Sequence, residues 1–198
     1  MKRYNLFYIS PKKERHENKG RNETRTASVT AILLSSAIIL TSCIKDREPA
    51  GADLKPGDIL PEFSVTLDDG STISNASLEG SVSCIMFFHT GCPDCKATIP
   101  EVQKLSESRV AVEKDIKFVC ISREEGRDEI MAFWDANKIT LPFSAQEDRS
   151  VYNKFATTGV PRIYISDRNC RISAVWSDDP TPQYEELEEA VMRLIFRP

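Results

Sequence analysis

The 198-residue chain is poor in metal-binding side chains. It has two histidines and six cysteines, and only Cys92 and Cys95 form a close pair. Six cysteines are too few for a scaffold stapled by disulfides at this length. A zinc ribbon needs a second close Cys or His pair. Cys120 and Cys170 stand alone, and after residue 43 the one histidine is His89. The apolar run within residues 27–43 is about 15 residues long, short of the roughly 20 that cross a bilayer. No internal repeat is present. Of the 26 Lys and Arg, 8 fall in residues 1–42, as do 3 of the 30 Asp and Glu; the other 18 and 27 leave the rest of the chain at -9. A part that acidic lacks the basic face that phosphates require, so a nucleic-acid partner is not expected. Apolar content of 40% and charged content of 28% fit a soluble globular protein of one domain, or of a domain plus a tail.

The first 25 residues are basic and polar, and the apolar run follows them. That order describes a secretory signal peptide. The run ends in Leu40, Thr41, Ser42 and Cys43, which resembles the bacterial lipobox. The resemblance implies cleavage before Cys43 and lipid on its sulfur, which would hold the protein at a membrane surface. The expected organisation is a lipoprotein signal peptide over 1–42, a lipid-anchored flexible tether over 43–57 and a folded domain over 58–198. The tether is polar, with Pro and Gly. The expected location is the cell envelope, facing the periplasm or the cell surface, where disulfides persist.

Within the domain, Phe63, Val65 and Leu67 alternate with polar residues, and Asp69-Gly70 marks a turn before Thr72, Ile73 and Ser74. This predicts a β-hairpin. The runs 81–89 and 116–122 are almost continuously apolar, as in strands covered on both faces. Residues 93–107 carry Ile99, Val102 and Leu105 at helical spacing. A second helix is predicted over 124–138, burying Ile130, Met131, Phe133 and Trp134. A short strand at 141–146, a short helix at 150–156, strands at 162–166 and 171–177, and an amphipathic helix over 182–196 complete the chain. The last stripe carries Leu187, Val191, Leu194 and Ile195. The order predicts an α/β domain with a mixed central sheet flanked by helices, ending in an antiparallel strand pair.

Cys92 follows a strand and immediately precedes a helix, with Pro93 at the first helical position. The unpaired N–H groups and partial positive charge of a helix N-terminus favour a thiolate there. Cys92 is thus the attacking sulfur, and Cys95, about one turn inward, can resolve a mixed disulfide. Cys84 and Cys120 lie in apolar strands and read as buried thiols. Cys170 lies at a turn, where it reads as an exposed or unpaired thiol.

These residues resemble the thioredoxin-like superfamily, nearest to its TlpA/ResA type of membrane-anchored extracytoplasmic thiol–disulfide oxidoreductases. The resemblance covers residues 55–196. It rests on "PGDILPEF", on Cys92-Pro93-Asp94-Cys95, on Pro100 five residues after the second cysteine, and on Gly159, Val160 and Pro161. It implies a thioredoxin-like fold with an N-terminal β-hairpin extension and a Cys92–Cys95 disulfide in the oxidised form. It also implies a cis bond before Pro161, which presents the Val160 backbone to substrate. Expected partners are protein thiol or disulfide substrates and an unidentified membrane electron donor. The protein is expected to act as a monomer, without cofactor or metal.

The sequence departs from the family in three respects. Gly91 replaces a common tryptophan, and His89 stands where an aromatic is usual. Met86 and Thr98 occupy positions where relatives carry an acid serving Cys95, so the group that deprotonates Cys95 stays open. Asp94 puts a negative charge between the sulfurs. His89 and Asp94 are therefore the residues expected to tune the acidity of the dithiol, and Asp94 predicts a reducing couple. The alternative functions are a peroxiredoxin-like thiol peroxidase and a non-catalytic binding module. The usual peroxiredoxin threonine is His89 here.

Overall fold

The computed structural model describes residues 53–196. In chain order the elements are β1 (Ser64–Thr66), β2 (Thr72–Ser74), α1 (Asn75–Leu78), β3 (Ser83–Phe88), α2 (Pro93–Glu107), α3 (Arg109–Glu113), β4 (Lys117–Ser122), α4 (Arg127–Asn137), β5 (Phe143–Ser144), a 3-10 turn (Tyr152–Lys154), β6 (Arg162–Ser166), β7 (Ile172–Trp176) and α5 (Tyr184–Phe196). Strands β1 and β2 form the predicted antiparallel hairpin, with Val65 opposite Ile73. The other five make a mixed sheet in the order β5-β4-β3-β6-β7. Strand β4 runs parallel to β3 and β5, and β6 antiparallel to β3 and β7.

Strand β3 is central, and all six of its residues are buried. Consecutive strand side chains point to opposite faces. Phe87 meets Phe155 at 4.8 Å and Tyr152 at 5.4 Å between ring centroids, while Phe88 meets Trp134 of α4 at 4.9 Å. Both sheet faces are therefore covered, which explains the unbroken apolar run.

Several elements differ from the sequence reading. The helix predicted over 124–138 begins at Arg127, because Gly126 is its N-cap in extended backbone and Glu124 adopts φ 61. Glu125 bridges to Gln146 instead of entering the helix. Only Ile130 and Trp134 of the expected stripe are buried, and Met131 is exposed. Trp134 donates its indole N–H to the Leu141 carbonyl at 2.9 Å and packs on Phe143. Ile130 and Trp134, four residues apart, take the core-facing stripe, and position 131 falls outside it. The segment predicted helical at 150–156 holds only the 3-10 turn. Helices α1 and α3 were not predicted. Ser74 and Ser77 close a capping box on α1, and the Ser108 hydroxyl caps α3.

Residues 53–57, placed by the sequence reading in the tether, are hydrogen-bonded to the domain. The Leu54 N–H donates to Phe155 O at 2.9 Å and the Gly57 N–H to Ile172 O at 2.8 Å. The Asp53 carboxylate accepts from the Thr157 N–H at 2.7 Å and from Arg162 at 3.4 Å. The ordered contacts thus begin upstream of position 58. Cys43 and the expected signal-peptide boundary lie outside the described residues.

Cys170 is not an exposed thiol. It is 9% exposed, its sulfur lies 3.3 Å from the Asn75 carbonyl, and its backbone adopts φ 57. That left-handed conformation favours glycine. Cys84 and Cys120 are buried free thiols on adjacent strands, two residues out of register. Burial pushes the Cys84 thiol up to about 12 and also raises Cys120.

Candidate active site

The site forms where β3 ends and α2 begins. Cys92 is the N-cap of α2, with φ -84 and ψ 123, and its N–H donates to the His89 carbonyl at 3.0 Å. The Cys92 carbonyl accepts the first intrahelical bond from the Lys96 N–H at 3.1 Å. Pro93 sits at the first helical position, where no N–H is needed. The remaining free N–H groups of that turn carry positive partial charge, and the Cys92 side chain makes no cap hydrogen bond to them. Asp94 lies exposed in the same turn. Pro100 lies inside the helix.

Cys92 is half-buried and Cys95 is 0% exposed; both are free thiols. Burial is the largest cause that raises the Cys95 thiol. A backbone hydrogen bond from His89 opposes it, the charge of Cys92 and a hydrogen bond with it add to it, and the charge of Arg123 lowers it. One sulfur is thus accessible, while its mate is buried and its thiol raised.

The opposite wall is the loop before β6. The Val160-Pro161 peptide is cis, and both residues are buried. The Cys92 thiol donates to the Val160 carbonyl at 3.4 Å. Upstream, Gly159 adopts φ 80, and its carbonyl accepts from the Tyr152 hydroxyl. The guanidinium groups of Arg123 and Arg149 lie 5.3 and 5.2 Å from the Tyr152 ring. The structure therefore brings together Cys92, Cys95, Val160, Pro161, Asp94 and His89.

His89 is 38% exposed at its side chain. Its Nδ1 accepts from the Gly91 N–H at 2.9 Å. Thr98 is buried and donates its hydroxyl to the Asp94 carbonyl at 2.7 Å, so that position is committed to the helix. Met86 is fully buried.

Sequence reasoning missed one residue here, Glu125. Its carboxylate is buried behind the active-site turn, 3.7 Å from the His89 Nδ1. It follows Glu124 and precedes Gly126, a setting that reads as the solvated start of a helix. Only its contact with Thr90, just past the end of β3, marks it, and that contact exists only in the fold. Among the described residues, no group of three or more His, Cys, Asp or Glu could hold a metal ion. No helix of the described residues is long and apolar enough to cross a membrane.

A family model described as the AhpC/TSA family matches residues 56–175. The chain belongs to the AhpC/TSA family. This AhpC/TSA member is 23% identical over 171 residues to the thiol-disulfide oxidoreductase ResA of Oceanobacillus iheyensis, covering 84% of this chain and 88% of that protein. Solved structures with the same fold include a putative protein disulfide isomerase from Bacteroides thetaiotaomicron. It has a TM-score of 0.63 and 22% identity, over 72% of this chain and 94% of that one. A secreted Mycobacterium tuberculosis disulfide oxidoreductase gives a TM-score of 0.58 and 18% identity, over 67% and 96%. The fold is thioredoxin-like, with the mixed sheet and N-terminal hairpin described above.

Proposed function

We propose that this AhpC/TSA member is an extracytoplasmic thiol–disulfide oxidoreductase that reduces disulfides in protein substrates. One observation carries the reading: an accessible sulfur at the α2 N-terminus lies against the Val160 carbonyl, with a second sulfur buried one turn below. Cys92, as thiolate, attacks a substrate disulfide. The substrate S–S bond breaks, a mixed disulfide forms, and the departing sulfur takes up a proton. Cys95 then loses its proton and attacks the Cys92 sulfur, releasing the second substrate thiol. Two electrons have passed to the substrate, and Cys92–Cys95 is oxidised. An extended substrate segment pairs with the Val160 backbone beside Pro161, adding a short strand.

Re-reduction falls to a membrane electron donor. Lipid on Cys43 keeps the monomeric domain at the envelope membrane, where that donor lies. The name of the ResA relative supports the oxidoreductase part of this reading, and that of the secreted mycobacterial protein its extracytoplasmic part. The test is insulin reduction by the wild type and by Cys92→Ser. The substitution should abolish turnover; equal rates would refute the proposal.

A further inference from the structure

The exchange chemistry leaves one buried ionisable side chain at the site unused. Glu125 arrives from the turn between β4 and α4, and its side chain is 5% exposed. The Thr90 N–H donates to Oε2 at 2.7 Å, and the Thr90 hydroxyl donates to Oε1. The Glu125 backbone is fixed as well. Its N–H donates to the Gln146 carbonyl at 3.0 Å, and its carbonyl accepts from the buried Ser122 hydroxyl at 2.8 Å. Removing a carboxylate from water costs several kcal/mol unless donors replace the lost hydration, and hydrogen bonds to a charged acceptor are about twice as strong as neutral ones. The Glu125–Thr90 contact is therefore a rigid clip between two turns.

Thr90 is the middle residue of the turn that serves both sulfurs. Its neighbour His89 offers its carbonyl to the Cys92 N–H, and the His89 backbone is among the groups that lower the Cys95 thiol. Its other neighbour, Gly91, joins Cys92 directly and donates to the His89 ring. Whatever holds Thr90 also sets where the two cysteines meet their main-chain partners.

We propose that Glu125 is a positioning residue for the dithiol, clipping the 89–91 turn so that Cys95 faces Cys92 at closing distance. The inference rests on reading Cys92 and Cys95 as the redox pair. Without the clip, the turn samples more positions, and the effective concentration of one sulfur toward the other falls. The disulfide then becomes less favoured against the dithiol, and the couple less reducing.

The test equilibrates wild type, Glu125→Ala and Glu125→Gln with reduced and oxidised glutathione. A glutamine can accept from the Thr90 N–H and donate to its hydroxyl, keeping the clip while losing the charge. Glu125→Ala should lower the equilibrium constant for closing the disulfide about tenfold, a potential about 30 mV less negative. Glu125→Gln should stay within about threefold of wild type. A wild-type value for Glu125→Ala overturns the proposal. So does a Glu125→Gln value that falls with it, because the effect would then belong to the charge. If Glu125→Ala does not fold, Thr90→Val removes the hydroxyl bond alone. A shift of about threefold in the same direction supports the clip, and no shift overturns it. A wild type that forms no Cys92–Cys95 bond at all sinks the redox reading itself.

Discussion

The thiol of Cys92 lies 3.4 Å from the carbonyl oxygen of Val160. Under the proposed function, the group that accepts from the free thiol is the one an incoming chain would pair with beside the same sulfur. Substrate capture and sulfur attack would then share one wall of the site, and a substrate docked there would already be aligned with its attacker.

Cys95→Ala should trap that encounter. With no second sulfur to release it, the mixed disulfide on Cys92 accumulates and is visible as a mass increase on non-reducing gels. The trap should vanish in Cys92→Ser/Cys95→Ala. Adducts that survive the double substitution would place the reactive sulfur elsewhere.

Asp94 lies in the first turn of α2, between the two sulfurs in sequence. A negative charge there disfavours the thiolate of the reduced form, which makes the couple more reducing. Asp94→Ala should give a less negative potential by equilibration with glutathione. An unchanged or more negative value contradicts the argument.

Burial sorts the thiols by reactivity. Cys84 is held at about 12 by desolvation, Cys95 and Cys120 are also raised chiefly by burial, and so is Cys170. Iodoacetamide at about pH 8, where an ordinary thiol is partly ionised, should label Cys92 alone among these in the folded dithiol form. Denaturant should expose all five to labelling. Peptide mapping of the alkylated protein checks both statements.

Tyr152 is 1% exposed, and its hydroxyl donates to the Gly159 carbonyl, one residue before Val160. Tyr152→Phe keeps the ring beside the two arginines and leaves that carbonyl short of a donor. The expected loss is about 1 kcal/mol of unfolding free energy in urea, with a higher KM for insulin as the loop loosens. An unchanged KM would assign the hydroxyl to stability only.

Asp53 is held below the usual carboxylate value of 3.8, first by the Thr157 backbone hydrogen bond; partial burial opposes this, and Arg162 adds to the lowering. A depressed folded-state value stabilises the protein above the unfolded value and stops doing so as pH falls through the folded one. Asp53→Asn should therefore be less stable than wild type at neutral pH. The gap should close as pH drops below about 3.8. Thermal unfolding at several pH values measures it.

The sheet and the dithiol were legible in the sequence because their signals are local. Strands β3 and β4 are continuous apolar runs, and Cys92 with Pro93 marks a helix start without outside help. The capped helices α1 and α3 bury one residue each, Leu78 and Ala111, so they show no period. Met131 was misread because several faces of α4 carry apolar residues, and only the indole bond to Leu141 selects one. Glu125 was invisible for a different reason. A glutamate in a charged stretch reads as solvated, and its burial depends on Thr90, 35 positions away. The docking of residues 53–57 depends on partners such as Thr157, 104 positions from Asp53, and local composition cannot report that.

That docking ties the first described residues to the wall that faces Cys92. Asp53 holds Thr157 and Arg162, which flank Val160 and Pro161 on either side, and the Val160 carbonyl accepts from the Cys92 thiol. A pull on the backbone at position 53 would therefore be felt at that loop before it reached the sheet.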